Sequence, residues 1–155
     1  MALQPHTLAV LSPEHLRIVL ELLVAAELIA RLLIDLSEQR LYAYDAADQL
    51  VYSALVSTGL SATPTPSGEF SVGSKYAETS MRGRGYFIPS LPLVMCLIGD
   101  GLRPGAFCIH PAPWQENAGQ AYGVPRSVCC IRTSSASARW LFSRTRFGRP
   151  VKIQP

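Results

Sequence analysis

The chain has 155 residues, of which 48% are hydrophobic and 16% are charged. This composition excludes a disordered chain and fits one globular domain with a single core. The net charge of +3 comes mostly from scattered basic residues, which is too little to indicate a nucleic-acid partner. The four cysteines have spacings that match no zinc-binding pattern, so a metal centre is not expected.

A helix is predicted near the start of the chain. Ser12 is a suitable N-cap and Pro13 suits the first helical position, and the helix is expected to run to about residue 31. Charges interrupt its apolar residues, so it lacks the ~18 uncharged residues that a membrane span needs. Residues 1–7 hold no Lys or Arg, which argues against a cleaved signal peptide. We expect an N-terminal helical extension, residues 1–31, that packs on the domain or makes peripheral contact with a membrane.

Short runs of β-branched, aliphatic and aromatic residues then predict a series of β-strands. The runs cover residues 32–36, 40–44, 50–57, 69–72, 93–98, 106–109 and 151–153. A short C-terminal helix is predicted from Ser135 to about Arg144. Because no composition shift marks a second domain, the sequence predicts one β-rich domain after the N-terminal helix.

Two segments between these strands are predicted to be loops. Residues 63–68, Thr-Pro-Thr-Pro-Ser-Gly, predict a rigid loop, because both prolines fix φ and restrict the residues before them. Residues 73–92 are rich in Gly, Arg, Ser and Pro and predict a long exposed loop over the sheet. This second loop is a candidate lid that is more mobile than the sheet.

Cys130 and His110 are the candidate catalytic residues. A cysteine in an apolar chain is more often a buried small side chain than a nucleophile, but Cys130 lies between Arg126 and Arg132, and cations favour the thiolate. His110 ends an apolar run, where a rigid strand holds a general base well, although a structural role remains open. Adjacent cysteines rarely bridge each other, so Cys129 or Cys130 is expected to keep its thiol.

Four motifs in order carry a family resemblance. Residues 56–59 (Val-Ser-Thr-Gly) and 63–70 (Thr-Pro-Thr-Pro-Ser-Gly-Glu-Phe) are similar to an S-T-G and T-P-x-G-x-F pairing. Residues 109–114 (Ile-His-Pro-Ala-Pro-Trp) resemble a segment that carries a catalytic base, and residues 127–132 (Ser-Val-Cys-Cys-Ile-Arg) resemble an S-H-G-C-x-R nucleophile motif. Together they resemble the L,D-transpeptidase catalytic domain of the YkuD type, over roughly residues 32–153.

The resemblance implies a mainly β fold, sandwich-like or barrel-like, over residues 32–155, with the N-terminal helix and the short C-terminal helix attached. It implies that Cys130 attacks the amide before the terminal D-residue of a peptidoglycan stem peptide, while His110 takes the thiol proton. The resulting thioester would pass to an amine of a neighbouring stem. No cofactor is implied, and the implied location is the cell envelope or periplasm.

The resemblance also assigns roles to four more residues. Arg132 and Trp114 would contact the substrate, and the backbone at Ser127 and Cys129 would support the oxyanion. The sequence departs from the family pattern where Val128 replaces a His and Cys129 replaces a Gly. If those residues support the site, activity is reduced. The alternative interpretation is therefore a catalytically impaired homologue that binds stem peptides without turning them over.

Overall fold

The computed structural model describes residues 12–26, 28–83, 86–99, 101–112 and 130–155. Within these ranges the chain forms eight strands and two helices. In chain order they are α1 (Pro13–Ala26), β1 (Arg31–Asp35), β2 (Arg40–Tyr44), β3 (Leu50–Ser57), β4 (Gly68–Gly83), β5 (Tyr86–Ile98), β6 (Cys108–Pro111), β7 (Ile131–Thr133), α2 (Ser135–Arg144) and β8 (Pro150–Gln154).

The strands form one closed sheet in the order β1, β2, β3, β7, β6, β5, β4, β8, with β8 returning to β1. Neighbouring strands are antiparallel except for the pairs β1–β8 and β6–β7, which are parallel. Closure gives the sheet an interior face that side chains must fill. The predicted mainly β, barrel-like fold is therefore confirmed.

The interior is filled by aliphatic side chains from every strand of the sheet, and α2 packs against them. Ser134 caps α2, because its Oγ accepts the backbone N–H of Ser137 at 3.1 Å. Leu141 of α2 is fully buried in the core, and Trp140 stacks on Tyr52 with 4.0 Å between ring centroids. The predicted C-terminal helix is confirmed. Because it begins two residues after β7 and packs on the core, it holds the end of β7 in place.

The predicted loop over residues 73–92 is wrong, because β4 and β5 form a long antiparallel hairpin there. β4 pairs with β8 through residues 68–71, and β5 pairs with β6 through Met95 and Cys96. Among the described residues, the outer part of the hairpin therefore pairs with no further strand on either side. Because many of its side chains are exposed on both faces, the apolar alternation that reveals a strand is missing from its sequence.

The N-terminal helix is shorter than predicted. α1 ends at Ala26, because Ile29 and Ala30 donate their backbone N–H groups to carbonyls outside the helix. The side chains of residues 12–21 are all exposed, including Leu20 at 58%, so this part of the helix does not pack on the described part of the domain. Contact of the helix with a membrane surface, the other alternative, stays a prediction. Within the described residues, no helix is both long enough and apolar enough to span a membrane.

A tight turn follows β3 and contains Gly59. The backbone N–H of Gly59 donates to Oγ1 of Thr65 at 2.9 Å, and the N–H of Thr63 donates to the carbonyl of Leu60 at 2.9 Å. A Cβ at Gly59 would lie 2.0 Å from the carbonyl oxygen of Thr63. The close approach of two backbone segments therefore requires glycine at this position.

Candidate active site

Two neighbouring parallel strands hold the predicted nucleophile and base. In the register of β6 and β7, Ile109 lies beside Ile131 and His110 lies beside Arg132. The two isoleucines pack in the interior of the closed sheet. Successive side chains of a strand point to opposite faces, so His110, Arg132 and the preceding Cys130 share the other face. The structure thus brings three of the predicted site residues together.

The sulfur of Cys130 lies against the start of β6. Cys130 keeps its thiol, and its sulfur accepts the backbone N–H of Cys108 at an N···S distance of 3.3 Å. Cys108 forms a disulfide with Cys96 on β5. The three cysteines pack with Leu91 and Val94 in a buried cluster, which we call the cysteine cluster. A backbone N–H aimed at sulfur favours the thiolate over the thiol.

A pocket of about 480 Å³ lies in front of the cysteine cluster. This volume falls within the range of roughly 300–1,000 Å³ that small-molecule and peptide-fragment sites occupy. Its lining combines the cysteines with polar and aromatic side chains of the β4–β5 hairpin: Tyr76, Thr79, Arg82, Tyr86, Cys96, Cys108 and Cys130. Although Cys130 is only 8% exposed, it is therefore reached from the pocket.

His110 is held as a neutral imidazole. Its Nδ1 lies 2.7 Å from the carbonyl oxygen of Pro111, and because a carbonyl only accepts, Nδ1 carries the proton and Nε2 the lone pair. Burial lowers the pKa of His110 to about 4; the bond to Pro111 raises that pKa, and the charge of Arg132 lowers it. The neutral imidazole, with its lone pair on Nε2, is the protonation state that can take a proton from a nucleophile.

Residues 29–153 match the L,D-transpeptidase catalytic domain family, YkuD. The chain belongs to this family. No curated protein sequence gives a match.

Solved L,D-transpeptidases share the fold. The enzyme from Mycobacterium smegmatis is 20% identical with a TM-score of 0.67, and the match covers 81% of this chain and 58% of the other. A mutant of the Enterococcus faecium enzyme is 22% identical with a TM-score of 0.68 and coverages of 81% and 50%. L,D-transpeptidase 3 from Mycobacterium tuberculosis, in complex with a faropenem-derived adduct, is 21% identical with a TM-score of 0.65 and coverages of 81% and 60%. The chain thus spans 50–60% of the length of those chains.

The structure does not describe every predicted site residue. Trp114, Ser127 and Cys129 lie outside the described residues, and so does Val128. Their roles remain predictions. Across the described part of the chain, no group of three His, Cys, Asp or Glu side chains is placed to hold a metal ion.

Two features of the site were not predicted. One is the set of hairpin side chains in the pocket, which the loop assignment for residues 73–92 concealed. The other is the Cys96–Cys108 disulfide. A signal for it was present, because Cys96 and Cys108 stand in two consecutive predicted strands, and consecutive strands commonly pair.

We predict that His110 titrates near pH 4 rather than near its ordinary pKa of 6.5. Burial of the ring disfavours the imidazolium, so the folded protein takes up this proton only in strong acid. NMR of the imidazole Cε1–H as a function of pH measures the midpoint. A midpoint near 6.5 would contradict the assignment of His110 as a buried neutral base.

The same shift makes the free energy of unfolding depend on pH. Between pH 6.5 and about 4 the unfolded chain binds this proton and the folded one does not, so stability falls as the pH falls through that window. The loss reaches up to about 3 kcal/mol and then stops. Urea denaturation measures it, and His110→Gln, the control, should lack this part of the dependence.

Proposed function

We propose that this protein is a peptidoglycan L,D-transpeptidase that cross-links stem peptides through a thioester at Cys130. The observation that carries the proposal is the placement of Cys130 and a neutral His110 on one face of adjacent strands, with Cys130 lining a peptide-sized pocket. The family match over residues 29–153 supports the reaction class.

The proposed chemistry uses groups of this chain alone. Nε2 of His110 takes the thiol proton of Cys130, and the sulfur attacks the carbonyl carbon of the amide before the terminal D-residue. The tetrahedral oxyanion collapses, the C–N bond breaks, and the leaving amine receives the proton from His110. The amine of a neighbouring stem then attacks the thioester and releases Cys130. In this second step the C–S bond breaks, His110 takes the proton that the attacking amine loses, and that proton returns to the sulfur of Cys130. The N–H of Cys108 stabilises the thiolate at the start and at the end of the cycle.

The proposed substrate contacts include Arg82 of the pocket as well as Arg132 and Trp114. Stem peptides carry carboxylates, and the guanidinium of Arg82 lines the pocket while it stacks over the ring of Phe87 at 4.8 Å. Such stacking holds a long flexible side chain in one orientation, which reduces the entropy lost on binding. Arg132 and Trp114 keep their proposed contacts to substrate, and Ser127 and Cys129 their proposed support of the oxyanion.

Incubation with a stem tetrapeptide and an amine acceptor tests the proposal. We expect release of the terminal D-residue and formation of a cross-linked product in equal amounts, because each thioester transfers one acyl group. Mass spectrometry quantifies both products. Release of neither, in a sample that is shown to be folded, would contradict transpeptidase activity.

A second candidate function is binding of stem peptides without turnover. Two observations favour it: Val128 and Cys129 replace the family's His and Gly, and Cys130 is only 8% exposed. A binding-only protein would show saturable affinity for the tetrapeptide but no thioester. Isothermal titration with the tetrapeptide, combined with the product assay, separates the two functions.

The double replacement Val128→His and Cys129→Gly is expected to raise the rate of acylation by a carbapenem roughly ten-fold or more, the scale of a restored supporting hydrogen bond. Intact-protein mass spectrometry follows the adduct. The two single replacements are the controls. Equal rates in the wild type and the double variant would show that these positions do not limit acylation.

We also propose that the protein works at the cell envelope, where its substrate is found. The exposed apolar side chains of α1, including Leu16 and Leu20, are suited to peripheral contact with a membrane surface. Cosedimentation with lipid vesicles tests this contact, and Leu16→Ser with Leu20→Ser should abolish it.

A further inference from the structure

The proposed acyl transfer makes no use of the disulfide that lies beside its nucleophile. Cys96 and Cys108 are directly opposite each other on β5 and β6 and are joined by a disulfide. The sulfur of Cys130 accepts the N–H of Cys108, and all three cysteines line the same pocket. A thiol therefore packs against a disulfide in one buried cluster.

We propose that Cys130 exchanges with this disulfide and is reversibly captured by Cys108. The thiolate of Cys130 attacks the sulfur of Cys108, a Cys108–Cys130 bond forms, and the Cys96–Cys108 bond breaks. Cys96 leaves as a thiolate and takes up the proton that Cys130 lost. One sulfur–sulfur bond replaces another, so the step needs no external oxidant or reductant.

The geometry favours Cys108 over Cys96 as the sulfur that is attacked. The sulfur of Cys130 already contacts the backbone nitrogen of Cys108, which is only three bonds from the sulfur of the same residue. Extending the register of β6 and β7 by one residue places Cys130 beside Cys108, with both side chains on the same face. Capture therefore requires a side-chain rotation, without a change in strand pairing.

The surroundings of Cys96 limit the rate of exchange. Cys96 is 4% exposed and packs with Leu91 and Val94, and apolar surroundings disfavour the thiolate that must leave. Exchange is consequently slow, and it is slowest at low pH because only the thiolate of Cys130 attacks. The captured form has no nucleophile, so exchange would switch acyl transfer off; this consequence rests on the proposed function, whereas the exchange itself does not.

Tryptic mapping without reduction tests the exchange. Trypsin does not cleave before proline and so spares the bond after Arg103, which leaves Cys96 and Cys108 on one peptide, residues 85–126. Cys129 and Cys130 lie on another, residues 127–132. The protein is incubated over a range of pH for equal times, quenched in acid, and alkylated in denaturant with N-ethylmaleimide before digestion. The present pairing gives two separate peptides, and capture gives a disulfide-linked pair with alkylated Cys96.

We expect the linked pair in monomeric protein, with a yield that rises at least about three-fold between about pH 6 and pH 9, because the thiolate is the attacking species. The pair should persist in Cys129→Ser and disappear in Cys130→Ser. Finding residues 127–132 only as the doubly alkylated peptide at every pH would overturn the proposal. Linkage that occurs only in dimers, or only through Cys129, would also overturn it.

Carbapenem labelling of the same samples separates this proposal from the proposed function. We expect the adduct yield to fall in proportion to the linked fraction. If the linked pair forms but no adduct is ever seen, exchange stands and acyl transfer fails. If the adduct forms and the linked pair is absent, acyl transfer stands and exchange is refuted.

Discussion

Replacing Cys130 with serine is expected to lower stem-peptide turnover by at least about 10³-fold and to abolish the carbapenem adduct, because a neutral hydroxyl is a far weaker nucleophile than a thiolate. Oxygen is smaller than sulfur and also accepts the N–H of Cys108, so the cluster should keep its packing. Turnover is measured by release of the terminal D-residue, and the adduct by intact-protein mass spectrometry.

The control for this variant is its stability, which should stay within about 1–2 kcal/mol of the wild type, as expected for one small buried replacement. Loss of turnover in a protein that unfolds at the same denaturant concentration then reports chemistry alone. An adduct that persists in Cys130→Ser and maps to Cys129 would move the nucleophile by one residue.

Gly59→Ala is expected to destabilise the protein by about 3 kcal/mol or more, at the upper end of the cost of overpacking. The new methyl group would lie 2.0 Å from the carbonyl oxygen of Thr63 and 2.7 Å from the nitrogen of Thr65. Both neighbours are backbone atoms, which cannot rotate away as a flexible side chain does. The turn must open, and the hydrogen bond from Gly59 to Thr65 is then lost. Urea denaturation measures the change.

Gly101→Ala is the matched control for crowding. Gly101 has a φ of +79°, but a Cβ there meets no atom within 4 Å. Alanine at this position should therefore cost only the strain of a left-handed conformation, about 1–2 kcal/mol. If both variants lose the same stability, the close backbone approach at Gly59 is not what demands glycine.

The parts of the fold that the sequence predicted are those with local causes. The strands at residues 32–36, 40–44 and 50–57 lie within a residue of β1, β2 and β3, because apolar and β-branched side chains mark them directly. The helix from Ser135 to Arg144 agrees with α2 at both ends. Its cap is set by a neighbour three positions along the chain, since Ser134 accepts the N–H of Ser137.

The wrong predictions concern segments whose structure depends on residues far away in the chain. Nothing near residues 73–92 reveals that they pair with each other outside the closed sheet, because both faces of that hairpin are largely exposed. The end of α1 was placed too late, because sheet pairing at Ile29 and Ala30 stops the helix. A periodic pattern reports which face is buried and does not report where tertiary pairing begins.

In the candidate site, too, local motifs were predicted from the sequence and features that depend on distant residues were not. His110 and Cys130 were predicted as a pair from motifs, yet their common face depends on the parallel register of β6 and β7, which no local signal specifies. The low pKa of His110 could not be predicted either, since it arises from burial and from Arg132 in the folded protein. The disulfide could not be predicted from spacing alone, because the spacing of the four cysteines does not determine which two are bonded.

The closing strand has a consequence for how the protein is made. β8 completes the sheet by pairing with both β1 and β4, and 119 positions separate Asp35 from its hydrogen-bond partner Gln154. Contacts between such distant residues form late and slow the folding of a chain. On the ribosome, β1 and β4 emerge long before their partner and carry unpaired edges that other chains can join. A nascent chain that stalls before residue 150 therefore keeps both edges open and is prone to aggregation.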